Sequence, residues 1–152
     1  MAYQYGQIET VLAHVCGVAD EDLGAFKGKL RHLRSLGIPK VEKVGSGSRA
    51  RFSYSDAIIM RLGLELSTLG VKPRAIASAL SQVNPGAIPL VLNPPPELSA
   101  KDLYFFIANG LVTSMFIDLK SVLTLADLNA GNSFAAVNIS HLVREMDVAL
   151  AK

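Results

Sequence analysis

The strongest constraint on this chain lies in its first third, where two apolar stripes at helical spacing are separated by a glycine. Ile8, Val11, Leu12 and Val15 fall on one helix face, and Gly17 ends that helix. Asp20, Glu21 and Asp22 then supply an N-cap and favourable first-turn acids for a second helix. The second helix carries Leu23, Phe26, Leu30 and Leu33 on one stripe and stops at Gly37, with Pro39 beyond it. A short helix, a turn and a longer helix predict a helix-turn-helix.

The next segment changes period. Residues 40–44 and 49–54 alternate around Gly45-Ser46-Gly47-Ser48, the pattern of a β-hairpin. A hairpin packed after a helix-turn-helix is a wing. Ser55 and Asp56 are then expected to open a third helix reaching about Leu69, apolar nearly all round, with Arg61 and Glu65 paired on its one wet strip. Pro73 suits the first turn of a fourth helix with Ile76, Ala79, Leu80 and Val83 on its inner face.

Prolines make residues 84–98 a linker, and charge changes sign across it, from +4 over residues 1–83 to −2 over residues 84–152. Beyond it, 103–108 and 111–119 flank Asn109-Gly110, a tight-turn dipeptide, and predict a second hairpin. A helical start at Ser99-Ala100-Lys101-Asp102 competes with that hairpin, because it matches a capping box. Residues 134–139 read as a further strand, and Ser140 as the cap of a last helix with Leu142, Val143, Met146, Ala149 and Leu150 inward. The hairpin is apolar on both faces, so one face is expected to cover its own helix and the other a second copy of the chain. The predicted class is therefore α+β: a winged helix-turn-helix over 1–83, a linker over 84–98, and a hairpin/helix dimerisation segment over 99–152.

Charge points to the partner. Residues 23–51 hold eight cations (Lys27, Lys29, Arg31, Arg34, Lys40, Lys43, Arg49, Arg51) against one anion, Glu42. That is +7 in a chain whose total is +2, which leaves the remainder at −5. Clustered cations of this kind displace counterions from phosphates, whereas a merely solvated helix face alternates its signs. Opposite the apolar stripe of the second helix lie Gly24, Ala25, Gly28, Arg31, His32 and Ser35. Two glycines on an exposed helix face cost about 1 kcal/mol each relative to alanine. Either they let the helix backbone approach DNA closely, or another helix packs there. Arg49 and Arg51 share strand parity and would project from one side of the wing. The candidate DNA contacts are Lys27, Lys29, Arg31, His32, Arg34, Lys43, Arg49 and Arg51.

The pieces Gly17-Val18, Leu30-Arg31, Leu36-Gly37-Ile38-Pro39, Arg51-Phe52-Ser53-Tyr54, Asp56-Ala57 and Leu69-Gly70-Val71, with Ile76 and Leu80, resemble MerR-type winged-helix regulators over roughly the first 83 residues. The resemblance implies a winged-helix fold that binds double-stranded DNA. The interval from Gly17-Val18 to Leu30-Arg31 is longer than the family's compact turn, which implies an extended basic helix. The family's long C-terminal coiled coil is missing.

Other classes find little to stand on. The single Cys16 forms no internal disulfide and supplies no metal set, so no metal or cofactor is expected, and a reducing cytoplasm is the natural compartment. Residues 1–7 lack the pattern of a signal peptide, and prolines and Asn109-Gly110 break the two long uncharged stretches before either reaches membrane-spanning length. His14, His32 and His141 lie in three different segments beside no recognisable nucleophile motif, so no enzyme is expected. The basic segment lacks interleaved exposed aromatics for stacking on RNA bases. What remains is a homodimeric, sequence-specific transcription regulator on a palindromic site, set against an adaptor whose basic face binds an acidic partner protein.

Overall fold

The computed structural model describes residues 2–41, 50–108, 111–118, 122 and 134–150, and over them the chain is α+β. The helices are α1 (Tyr5–Val15), α2 (Leu23–Ser35), α3 (Tyr54–Thr68), α4 (Pro73–Leu80), the single-turn α5 (Pro89–Leu92) and α6 (Ile139–Leu150). The strands are β1 (Asp102–Ala108), β2 (Leu111–Ile117) and β3 (Phe134–Asn138), in the order β2-β1-β3 with both pairings antiparallel.

Glycine closes both of the first two helices in the same way. Gly17 and Gly37 take φ of +61° and +78°, and the following amides turn back, Val18 N–H to the Ala13 carbonyl at 3.0 Å and Ile38 N–H to the Leu33 carbonyl at 3.1 Å. These are paired C-terminal caps that a residue with a Cβ would strain. The start of α2 differs from expectation. Asp20–Asp22 form a 3₁₀ turn, and the Asp22 side chain makes no capping hydrogen bond, so the acids act there only through the helix dipole.

Helix α3 begins ahead of Ser55, at Tyr54. The Ser53 hydroxyl accepts from the Asp56 N–H at 3.1 Å while the Asp56 carboxylate accepts from the Ser53 N–H at 2.7 Å. This reciprocal box puts the N-cap at Ser53 and the helix start one residue before the dipeptide that the sequence suggested. The second arm of the proposed wing consequently stops at Phe52, which pairs with Tyr3 through N–H···O bonds of 2.8 and 3.0 Å. The first arm and its glycine-serine turn lie outside the described residues beyond Val41. Along α3, Ile58, Met60, Leu62 and Leu66 are essentially inaccessible, while Leu69, just past the helix end, is 58% exposed. A Cβ on Gly63 would lie 3.2 Å from Leu80 Cδ1 and 3.3 Å from Leu33 Cδ1, which is why α2 and α4 can both close onto α3 there.

In the C-terminal part the hairpin is present. Ala108 faces Leu111 across a two-residue connection, and β3 joins the other edge of β1, with Phe105 opposite Val137. Ser140 does not cap α6. Asn138 does, its Oδ1 accepting from the His141 N–H at 2.9 Å, while the buried Ser140 hydroxyl accepts from the Leu103 N–H at 2.7 Å and pins the helix start to β1.

One hydrophobic core joins the two halves. Helix α6 packs on α1, α3 and β1, so Leu103, Phe105, Leu142, Val143 and Met146 share a cluster with Leu12, Leu30, Ile58 and Met60. Residues 84–98 fold into two 3₁₀ turns and α5, and Ile88, fully buried, inserts into that same core. The other face of β1 carries Tyr104 and Phe106, which are 7% and 4% exposed and packed with Val122 and Ala136. A second copy is therefore not needed to cover those two side chains, because the chain beyond β2 supplies the cover itself. No single described helix is long and apolar enough to cross a membrane.

Candidate nucleic-acid interface

The α2 stripe behaves as its spacing dictates: Phe26, Leu30 and Leu33 are buried and Leu23 half-buried against α1 and α3. The opposite face is open. Gly24, Ala25, Gly28, Arg31, His32 and Ser35 are all exposed, as is the flanking Lys29. A Cβ added to Gly24 or Gly28 would meet nothing within 4 Å, so no helix of the described chain packs there. The first half of this face is thus a smooth strip of backbone, with Lys29 and Arg31 beside it, neither ion-paired among the described residues.

The remaining cations divide. Lys27 is half-buried and tied to α1, its Nζ 3.1 Å from Glu9 Oε1. Arg34, in the last turn of α2, lays its guanidinium over the Tyr5 ring at 4.2 Å and near the Phe52 ring at 5.6 Å. Arg51 is exposed in the segment that leads into Phe52. Lys43 and Arg49 lie outside the described residues. Arg74, in the first turn of α4, is also exposed.

Arg61 is corrected by the structure. It is 9% exposed, not on a wet strip; it pairs with Glu65 as the i,i+4 spacing predicts and also faces Glu145 of α6 at 3.8 Å. Glu145 in turn meets His141 Nε2 at 3.3 Å. Helix α6 covers this strip, and the carboxylate it brings makes burial of the guanidinium tolerable.

Cys16, Arg61 and Glu65 line a hollow of about 350 Å³, where burial pushes the Cys16 thiol up, away from the thiolate a nucleophile needs. Among the described residues no three His, Cys, Asp or Glu side chains are placed to hold a metal ion. Comparison of the chain with protein-family models and with curated proteins gave no match.

Sequence reasoning missed Tyr5 and Glu9 as partners of the basic helix. Both sit on α1 at positions that its apolar stripe leaves unassigned, and only the packing of α1 against α2 brings them to Arg34 and Lys27. An aromatic at the helix start and a lone acid one turn later were the available signals.

Proposed function

We propose that the chain is a sequence-specific DNA-binding transcription regulator, with α1 and α2 as a helix-turn-helix, α2 as the groove-facing helix, and residues 40–52 as a MerR-like wing. One observation carries this: the exposed face of α2 combines bare backbone at Gly24 and Gly28 with cations at Lys29 and Arg31 that have no ion-pair partner among the described residues. A duplex suits such a face, because phosphates attract the cations while the absent side chains allow close approach to base edges. The Tyr3–Phe52 pairing supports the wing by holding the Arg51 segment beside the start of α1.

Assembly as a homodimer is part of the proposal. Strand β2 forms one edge of the sheet, and among the described residues no strand pairs with its outer side. Two such edges meeting antiparallel would extend the sheet about a two-fold axis and present two α2 helices to a palindromic site. Sedimentation of the full chain at micromolar concentration should give a dimer; a monomer would remove the palindrome.

The deciding experiment is selection of duplexes from a random pool, followed by affinity measurements over a range of salt. An enriched sequence, a steep salt dependence, and a loss of about 1–3 kcal/mol on Arg31→Ala are expected. Retention without sequence preference would favour the adaptor with an acidic protein partner, and absence of salt-dependent binding would end the DNA proposal.

A further inference from the structure

Of the cations on α2, Arg34 is the one whose side chain lies over aromatic rings, while Lys27 is tied to Glu9. Its guanidinium carbon lies 4.2 Å from the centroid of Tyr5, the first residue of α1, and 5.6 Å from that of Phe52. The two rings themselves are 5.9 Å apart and tilted by 48°. Among the described residues the buried Tyr5 hydroxyl has no partner at hydrogen-bond geometry, and Arg34 lies over the face of the ring. Phe52 is 1% exposed and backbone-paired to Tyr3, and Arg51 precedes it directly. Three segments therefore converge on one guanidinium: the end of α2, the start of α1, and the segment bearing Arg51 and Phe52.

We propose that Arg34 is a positioning residue for the DNA-binding surface, a cation–π clamp that fixes the last turn of α2 relative to the segment carrying Arg51. It rests on the duplex-binding function proposed above. A groove-facing helix and a wing must meet one duplex together, so the angle between them sets whether both sets of cations reach phosphates at once. Planar guanidinium suits the task because it stacks on an aromatic face while keeping its charge. Arg34 then acts on DNA affinity through Arg51.

The test is a double-mutant cycle in the full chain, with a mixed-sequence DNA duplex as probe and thermal unfolding recorded for each protein. Arg34→Gln should weaken binding about fivefold, the equivalent of one exposed cation–π contact. In an Arg51→Ala background the same change should cost much less, because the group it positions is gone. Tyr5→Leu should reproduce the loss and Tyr5→Phe, which keeps the ring face, should not, and these two stand in if Arg34→Gln fails to fold. Equal costs of Arg34→Gln with and without Arg51, or wild-type affinity in Tyr5→Leu, would overturn the clamp and identify Arg34 as a direct contact or a bystander. Failure of the wild-type chain to bind duplex at all would instead remove the DNA function itself.

Discussion

The Tyr54 hydroxyl donates a 2.8 Å hydrogen bond to the Val143 carbonyl, joining the first residue of α3 to the middle of α6. The phenol is pushed from 10.0 to about 12, by burial first and then by the negative charge of Asp147 and the nearby Tyr3. Because the folded state holds this proton more tightly than the unfolded chain, the contribution to stability is complete below about pH 10 and is lost as pH rises toward 12. Tyr54→Phe should lower stability at neutral pH by about 1 kcal/mol, the net worth of one such bond. It should also flatten the alkaline limb of the stability–pH curve, which denaturant unfolding at several pH values would measure. An unchanged alkaline limb would place the titrating group elsewhere.

Glycines on α2 and α3 should respond in opposite ways. Gly24→Ala and Gly28→Ala each add a methyl group to open space, so each should raise stability by about 0.5–1 kcal/mol. Gly63→Ala gains the same helix propensity but forces Leu80 and Leu33, both 4% exposed, to give way, and should come out less stable than Gly28→Ala. A larger residue at the open positions, such as Gly28→Gln, should leave stability intact and weaken duplex binding at least tenfold, about 1.4 kcal/mol. Full DNA affinity in Gly28→Gln would mean that the bare strip is not where DNA approaches.

Glu9 holds Lys27 at 3.1 Å and so competes with any phosphate for that ammonium. Glu9→Gln should tighten duplex binding and steepen its salt dependence by about one unit, the signature of one added phosphate contact. Stability should change by less than about 1 kcal/mol, since Lys27 is 42% exposed and exposed pairs contribute little. Affinity and salt slope both equal to wild type would exclude Lys27 from the interface.

Arg61 stands between Glu65 and Glu145 with its Nε unpartnered. Arg61→Ala leaves two carboxylates facing each other across a partly emptied site. It should destabilise the chain by about 2–3 kcal/mol, below the loss of about 3–5 kcal/mol for a fully buried pair because both glutamates keep some solvent contact. Equilibrium unfolding reads this directly. A loss under about 0.5 kcal/mol, the usual range for surface positions, would show the guanidinium to be solvated.

Local chemistry made much of the fold legible in the sequence. The apolar stripes of α1 and α2, the turns at Gly17 and Gly37, Pro73 at the start of α4, and the hairpin around Asn109-Gly110 follow from period, steric freedom and propensity within a few residues. The open basic face of α2 was legible for the same reason, since a helix's buried stripe determines what lies opposite. Helix starts were misread where a cap competed with a neighbour of similar type, as at Ser53 against Ser55 and Asn138 against Ser140.

Only the tertiary structure decided the rest. That residues 84–150 share a core with residues 1–83 depends on α6 docking across α1 and α3, through contacts between residues far apart in the chain. The same docking buries Arg61 against Glu145, and the packing of α1 on α2 withdraws Lys27 to Glu9 and Arg34 to Tyr5. Sequence thus determines which residues carry charge and which helix face they occupy, because periodicity is local. Which of those charges remain unpaired is set by partners that arrive only when distant elements close on one another, and local periodicity carries no record of that.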